Sequence, residues 1–390
     1  MTEDLSARLS RSLRGRLLRG ARLAVEGAGV PPAGIGYRWV EGVSVEEAGD
    51  GVERTVIHPR GETRNPLPEN LSLDDLPSER GWWRFSFRDV PSRTSGETVL
   101  VTLRDGRVVP YLDPENGEFH VCVLTPDDRF LDVREMAFRP EGHPAVLRTM
   151  RPRRLERATW ILERVYHNHS HWLTAHLPKV IMARERGWLP RTILPGAKTN
   201  DTIEDSLDLL GIGSDDARRL DPVEPLLVEE LEVLATDRFR PELLHSVRRA
   251  FSNLIDESRS RRIYISREKA SRRRLVNEKA VWPLFRDAGF EKVFMEDLPL
   301  DEQIRLMGAA EAVVAPHGAG LTNVVFCAPE TKVAEIADLS FPNPNFYATA
   351  VAMGHRYWIL SAETRGRGHP LERNMWIDPE KVEALLKDLG

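Results

Sequence analysis

The chain is expected to be an α/β protein of two domains, with a doubly wound parallel sheet in its second half. Three observations point there. From Arg262 to Leu360, short β-branched runs alternate with longer helical stretches, the rhythm of parallel strands joined by crossover helices. Within that stretch, the apolar run Ala312–Ala315 stops at Pro316, passes through His317-Gly318-Ala319-Gly320 and resumes at Leu321-Thr322-Asn323-Val324-Val325-Phe326, which reads as strand, tight glycine turn with φ > 0, then helix. Finally, 390 residues exceed one ordinary core and suit two.

Residues 1–25 carry Leu5, Leu9, Leu13 and Leu17 at four-residue spacing, with Arg8, Arg11, Arg14, Arg16, Arg19 and Arg22 between them. This predicts a basic amphipathic helix, suited either to an anionic membrane surface or to docking on its own domain or a partner chain. Residues 26–78 read as loop with short strands. Thr98–Leu103 is a strand with Asp105-Gly106 as a hairpin turn. Thr159–Tyr166 is strand-like, and a helix begins near Asn168 or Ser170 and runs to Arg186 with a kink or break at Pro178. Thr192–Pro195 and Val228–Ala235 are strands flanking a helix at Ile203–Leu210, and Pro241–Arg259 is a long helix leading into the second domain.

The second half then gives strand Arg262–Ser266, helix Asn277–Asp287, strand Lys292–Met295, helix Asp301–Ala310, the strand at Ala312–Ala315 with its helix, strand Lys332–Ile336, helix Tyr347–Met353 and strand Arg356–Leu360. A loose segment, Glu363–Arg373, precedes a last helix with Asp378 as N-cap and Pro379 at its first position. The expected units are 1–25, an N-terminal acceptor-side domain 26–250 with a β-rich opening, a ligand-binding domain 251–374, and a C-terminal helix 375–390 packing back toward the N-terminal domain.

Composition narrows the class. With 41% hydrophobic and 29% charged residues and a net charge of −5, the chain is globular, with no overall pull toward nucleic acid. No run approaches the ~20 apolar residues of a membrane span, and the N-terminus lacks the apolar centre of a signal peptide. Two cysteines, Cys122 and Cys327, each within an apolar stretch, suggest a reducing, cytoplasmic compartment.

Several groups can carry chemistry. The His317–Gly320 turn can aim free N–H groups and a helix N-terminus at a phosphate; as plain architecture it is simply a strand–helix corner. Arg267 follows a strand's C-terminal end, where open α/β sheets bind ligands, and Arg272-Arg273-Arg274 and Asn277-Glu278 lie just beyond. Guanidinium forks suit a diphosphate, and equally a solvated basic loop or RNA phosphates. His167, His169, His171 and His176 offer a general base or, with little support from spacing, a zinc site; capping of a buried helix is the plainer account. Glu335 on an apolar strand needs partners, either sugar hydroxyls or a salt bridge to Lys332 or a loop arginine. No Asp-x-Asp, Walker or Gly-x-Gly-x-x-Gly pattern occurs, so neither a metal-nucleotide motif nor a dinucleotide fingerprint is present.

Taken together, Tyr264-Ile265-Ser266-Arg267, Arg272–Arg274, Asn277-Glu278, Ala315 through Asn323 and Lys332–Ile336 resemble glycosyltransferase family 61, and Asn168 with His171-Trp172-Leu173 and Leu177-Pro178 resembles its upstream block. The resemblance spans roughly 98–360. It implies a GT-B fold, two Rossmann-like domains facing a cleft, and an inverting, metal-independent transfer with no cofactor beyond the donor. The donor implied is UDP-xylose, UDP-N-acetylglucosamine or a related nucleotide sugar. The acceptor implied is a glycan or glycoconjugate, in bacterial relatives usually a surface polysaccharide. On this resemblance His171 is the expected base with Glu278 in reserve, and Arg267, Arg272, Arg273, Asn277, His317, Gly318, Ala319, Gly320, Leu321, Asn323 and Glu335 hold the nucleotide sugar. One departure stands out: Ala175 occupies the position where many bacterial relatives carry a carboxylate. A sugar-nucleotide epimerase or hydrolase on the same plan, and a non-enzymatic scaffold or RNA-binding protein, are the competing classes.

Overall fold

The computed structural model describes residues 42–49, 51–81, 85–112, 119–127, 129–133, 152–197, 199–340, 342–367 and 372–390. The basic helix expected at 1–25 lies outside them. Among the described residues, no helix is long and apolar enough to cross a membrane.

The first half supplies β1 (Gly42–Val43), β2 (Val52–His58), β3 (Gly61–Glu62), β4 (Thr94–Ser95), β5 (Thr98–Leu112), β6 (Phe119–Leu124), β7 (Phe130–Leu131), β8 (Arg153–Trp160), β9 (Thr192–Pro195), β10 (Arg218–Leu220) and β11 (Leu226–Ala235). Apart from the small β3–β4 pair, these form one nine-stranded sheet in the order β1-β7-β6-β5-β11-β8-β9-β10, with β2 also on β5. The section β11-β8-β9-β10 is parallel, whereas β2, β6 and β11 all run antiparallel to β5. The first half is therefore mixed, not a purely parallel Rossmann-like sheet.

The expected hairpin at Asp105-Gly106 is absent. The chain runs straight through as β5, because β11 pairs with it on one edge from Val99 to Val108 while the other edge changes partner from β2 to β6. Asp105 marks the change with φ 48°, a left-handed conformation that Asp tolerates better than most residues. A Cβ on the next residue, Gly106, would come within 2.9 Å of Leu231 across the strand pair, so the close approach of β11 explains that glycine.

The second half gives β12 (Arg261–Ile265), β13 (Phe290–Val293), β14 (Ala310–Pro316), β15 (Lys332–Ala337) and β16 (Arg356–Ser361), all parallel, in the order β13-β12-β14-β15-β16. The expected parallel sheet is found, and its strand order reverses direction between β12 and β14. Strand alternation sorts its two faces. Tyr264, Val314, Ile336 and Trp358 face one core with helix Glu278–Asp287, while Ile263, Val313, Val333 and Tyr357 face the other with helix Leu300–Gly308 and the 3₁₀ helix Ala319–Phe326. That second core is continuous with the core of the first half, and Phe251 meets Phe326 edge-on across the join at 6.0 Å.

Three further expectations are corrected. Helix Pro241–Ala250 stops well short of Arg259, because the chain turns at Phe251–Leu254 and buries Phe251. The segment expected to be loose, Glu363–Arg373, opens with a strand, β17 (Glu363–Arg365), which pairs antiparallel with β18 (Asn374–Trp376) just past its end. The last helix, Pro379–Leu389, has the expected Asp378 cap, yet it packs on the second sheet and helix Glu278–Asp287, not toward the N-terminal half. Its stripe of Val382, Leu385 and Leu389 matches the apolar face left open there, and its terminal carbonyls accept from Arg262 and Lys332.

Segment 66–70 crosses to the second sheet. Glu69 N–H donates to Tyr357 O (2.7 Å), Asn70 exchanges two hydrogen bonds with the Ile359 main chain, and the Tyr347 hydroxyl donates to Pro66 O. The outer edge of β16 is thereby covered.

The helix predicted after Asn168 divides into a first turn, His169–His171, a π-type stretch, Trp172–His176, and the helix Leu177–Glu185. Pro178, which has no N–H to donate, sits at the start of the last section, so the widened turn takes the place of the expected kink. From this helix, fully buried Lys179 pairs with buried Glu163 and reaches Ile161 O at 3.3 Å. Replacing Glu163 by Gln leaves a buried ammonium without its countercharge and should cost about 3–5 kcal/mol, read as a lower urea midpoint; a loss below about 1 kcal/mol would mean that water reaches the pair.

Candidate active site

The reversal of strand order between β12 and β14 opens a crevice at their carboxyl ends, the place where doubly wound sheets hold ligands. A cavity of about 550 Å³ lies there. Ile265, Ser266 and Arg267 after β12 and Gly318, Ala319, Gly320 and Leu321 after β14 form one wall. His169, Thr202 and Asp205 of the first half form the facing wall.

Arg267 anchors the first wall. Its Nε donates to Arg273 O (3.2 Å) and its Nη2 to Arg272 O (3.0 Å), so the arginine run is wrapped around one guanidinium. Its third face lies against Gly318. That glycine is not left-handed: its φ is −179°, extended backbone open to any residue. It is glycine because a Cβ there would sit 2.0 Å from Arg267 Nη1. The expectation of a φ > 0 turn is thus replaced by a packing reason. The N–H groups of Gly318, Ala319 and Gly320 make no main-chain hydrogen bond among the described residues, while Leu321 N–H is taken by Gly318 O. Burial lowers the Arg267 pKa, Glu296 opposes the shift and Arg272 adds to it.

The other arginines separate. Arg272 is exposed and pairs with Glu372 at 3.1 Å. Arg273 adopts φ 56°, and its Nε is buried with no hydrogen-bond partner among the described residues. Burial, then the neighbouring Arg267 and Arg272, push its pKa down to about 10. Like Arg272, Arg273 is not among the cavity residues.

Several expected ligand contacts prove to be braces. Asn277 exchanges two hydrogen bonds with the Ile377 main chain and is not among the cavity residues. Glu278 accepts from Ser266 Oγ (2.5 Å) and pairs with Lys292 at 3.0 Å, also away from the cavity lining. Glu335 is fully buried and bonded to His317 Nδ1 and the Tyr357 hydroxyl, where a salt bridge to Lys332 or a loop arginine was expected. Asn343 Oδ1 accepts from Asn345 N–H, so its amino group faces His317 Nε2 at 3.3 Å. His317 is thereby held in one tautomer beneath the glycine turn.

The histidine group is likewise mostly structural. Asn168 caps the helix by accepting from Ser170 N–H and His171 N–H, on a turn strained by Val165 at φ 62°. His171, the expected base, has Asn168 Oδ1 at 3.3 Å from Nδ1 and Arg238 Nη1 at 3.2 Å from Nε2. Burial and then the Arg238 charge hold its pKa well below the ordinary value. His176 accepts from Glu163 N–H, donates to His171 O and stacks on Trp172. Among the described residues no cluster of three or more candidate metal ligands occurs. His169 alone of these reaches the cavity, between Thr202 Oγ1 (2.9 Å) and Asn323 Oδ1 (3.2 Å). Thr202 and Gln303 carry no spacing signal in the sequence, Ser266 stands there only as part of the Tyr264–Arg267 motif, and His169 is one member of an undivided group.

An arginine and a glycine turn whose N–H groups make no main-chain hydrogen bond among the described residues thus meet at a parallel-sheet switch point, the place where open α/β sheets hold ligands. Sequence comparison narrows the class of protein. The Glycosyltransferase 61 family model matches residues 169–334, a stretch that contains both walls of the cavity. The chain is also 27% identical over 130 residues to a Beta-1,2-xylosyltransferase of Arabidopsis thaliana, a match covering 30% of this chain and 23% of that protein. The aligned part therefore spans less than a quarter of that relative's length. Both findings support a glycosyltransferase.

Two outcomes test this geometry. Gly318→Ala should displace Arg267 and cost about 1–3 kcal/mol, seen as a lower melting temperature. Burial pushes the pKa of His169 and His355 down to about 4 and that of His176 to about 3. Above about pH 6.5 these rings are neutral folded or unfolded, and stability is full. As pH falls from there toward 4, the unfolded chain takes up protons that the folded one does not. Stability should decline by up to about 1.4 kcal/mol per pH unit for each ring, measurable by urea titration across that window.

Proposed function

We propose that the chain is an inverting, metal-independent glycosyltransferase of the GT-B plan that moves a sugar from a nucleoside diphosphate sugar, a UDP-sugar, to a hydroxyl of a glycan or glycoconjugate. The observation that carries this reading is the wall made by Arg267 and the unbonded N–H groups of Gly318, Ala319 and Gly320 at the sheet's switch point. The family match over residues 169–334 supports the reaction class, and the xylosyltransferase relative makes xylose a first donor to try. Assembly of surface polysaccharide, with work near a membrane through residues 1–22, completes the proposal.

The reaction is a single displacement at the anomeric carbon. The acceptor oxygen attacks as the bond to the diphosphate breaks, and negative charge grows on the leaving phosphate. Preorganised donors aimed at that charge are the main means of lowering such a barrier. Arg267 and the turn amides supply them, with Arg273 as a further cation. Glu335 and Tyr357 act one layer below by fixing His317 beneath the turn.

UDP should raise the melting temperature by mass action, with EDTA making no difference, whereas GDP and CMP discriminate the base. Arg267→Ala should lower turnover by ~10²–10³. Turnover within tenfold of wild type would remove Arg267 from this role, and no response to any nucleoside diphosphate would overturn the reading.

A further inference from the structure

We propose that Thr202, His169 and Asn323 form a hydroxyl–imidazole–amide triad that takes the proton from the attacking acceptor, with Thr202 Oγ1 in contact with that acceptor. The inference rests on the glycosyltransferase reading and assigns the base that His171 and Ala175 leave unfilled.

The tautomer of His169 follows from a chain of hydrogen bonds with one consistent direction. Gln303 Nε2 donates to Met295 O (3.1 Å) and Leu298 O (2.9 Å), which leaves its Oε1 as acceptor. Asn323 Nδ2 donates to that Oε1 (2.9 Å) and to Gly320 O (3.1 Å), so Asn323 Oδ1 is an acceptor too. His169 Nε2 must then carry the hydrogen it shares with Asn323, and its lone pair is on Nδ1. That lone pair faces Thr202 Oγ1 at 2.9 Å. Nucleophile or shuttle hydroxyl, base and orienting group stand in the order that recurs in catalytic triads. Both Thr202 and His169 line the cavity, and Asn323 joins them to the glycine turn on the opposite wall.

His171 and Asp205 suit the task less well. His171 Nε2 faces the Arg238 guanidinium, so a proton arriving there would meet a fixed positive charge. Asp205 is already engaged in accepting Leu300 N–H (3.1 Å) at the start of helix Leu300–Gly308. Burial keeps His169 in its neutral, proton-accepting form before donor binds, and a diphosphate anion bound nearby raises its proton affinity.

The step balances as follows. The acceptor O–H proton passes to Thr202 Oγ1 while Thr202's own proton passes to His169 Nδ1. The acceptor oxygen forms its bond to the anomeric carbon, and the electron pair of the breaking carbon–oxygen bond leaves with the nucleoside diphosphate. Asn323 Oδ1 keeps the imidazolium oriented until it returns its proton to water.

UDP release from UDP-xylose and UDP-N-acetylglucosamine, with water as the minimal acceptor, reads the step, because water too must lose a proton. H169Q keeps an amide N–H for Asn323 but removes the base. It should bind UDP within about threefold of wild type and release it ~10²–10⁴ slower. T202V should lose turnover and T202S restore it, a pair that stays informative if H169Q fails to fold. H169Q or T202V turning over within tenfold of wild type, while wild type is active, overturns the triad and leaves the glycosyltransferase reading intact. A wild-type protein that neither binds nor releases UDP overturns both.

Discussion

The clasp around the Arg267 guanidinium holds the site together. Two carbonyls of the arginine loop accept from it, and Gly318 gives up a side chain to let it pass. Strand β12 delivers the arginine and β14 delivers the glycine, so the contact exists only because these neighbours sit where strand order reverses. Loop, turn and cavity all take their positions from this one packing event. A guanidinium suits the part because it cannot lose its charge under ordinary conditions and can satisfy several acceptors in one plane.

Around that clasp the molecule is organised in layers of support. Glu335, Tyr357 and Asn343 fix His317 under the turn. Glu278 and Lys292 fix Ser266 beside the arginine. Next to His169 of the opposite wall, Asn168 and Arg238 occupy His171. Each support is a polar side chain in a low-dielectric place, where an unpaired partner is costly, so the networks are closed almost everywhere. Among the described residues, buried atoms left without a partner include Glu278 Oε2 in the second of these supports and Arg273 Nε in the loop that the clasp holds.

Much of the second half was legible in the sequence because its strands are short, β-branched and regularly interrupted. The period of two that sends Ile263 and Tyr264 to opposite cores is a local property of the chain. The location of the site was legible too, as Arg267 and the His317–Gly320 turn both end strands. Roles within the site were not. Glu335 and Asn277 look like ligand groups in isolation, and only tertiary contacts with Tyr357 and Ile377 reveal them as braces. The same holds for Thr202, which meets a histidine 33 residues away in sequence. Asp105-Gly106 misled for a related reason: turn chemistry was overridden by a strand that pairs on both edges.

The strap formed by residues 66–70 carries a consequence for how the chain comes apart. It lends hydrogen bonds to Tyr357 and Ile359 from nearly three hundred residues upstream, and the core beneath it runs unbroken between the halves. The five-stranded sheet is therefore not a portable module: cut free, it would present a bare strand edge and an apolar face to water. Recombination that exchanged this sheet between relatives would have to carry the strap along with it, joining two distant stretches of the chain as one unit of inheritance.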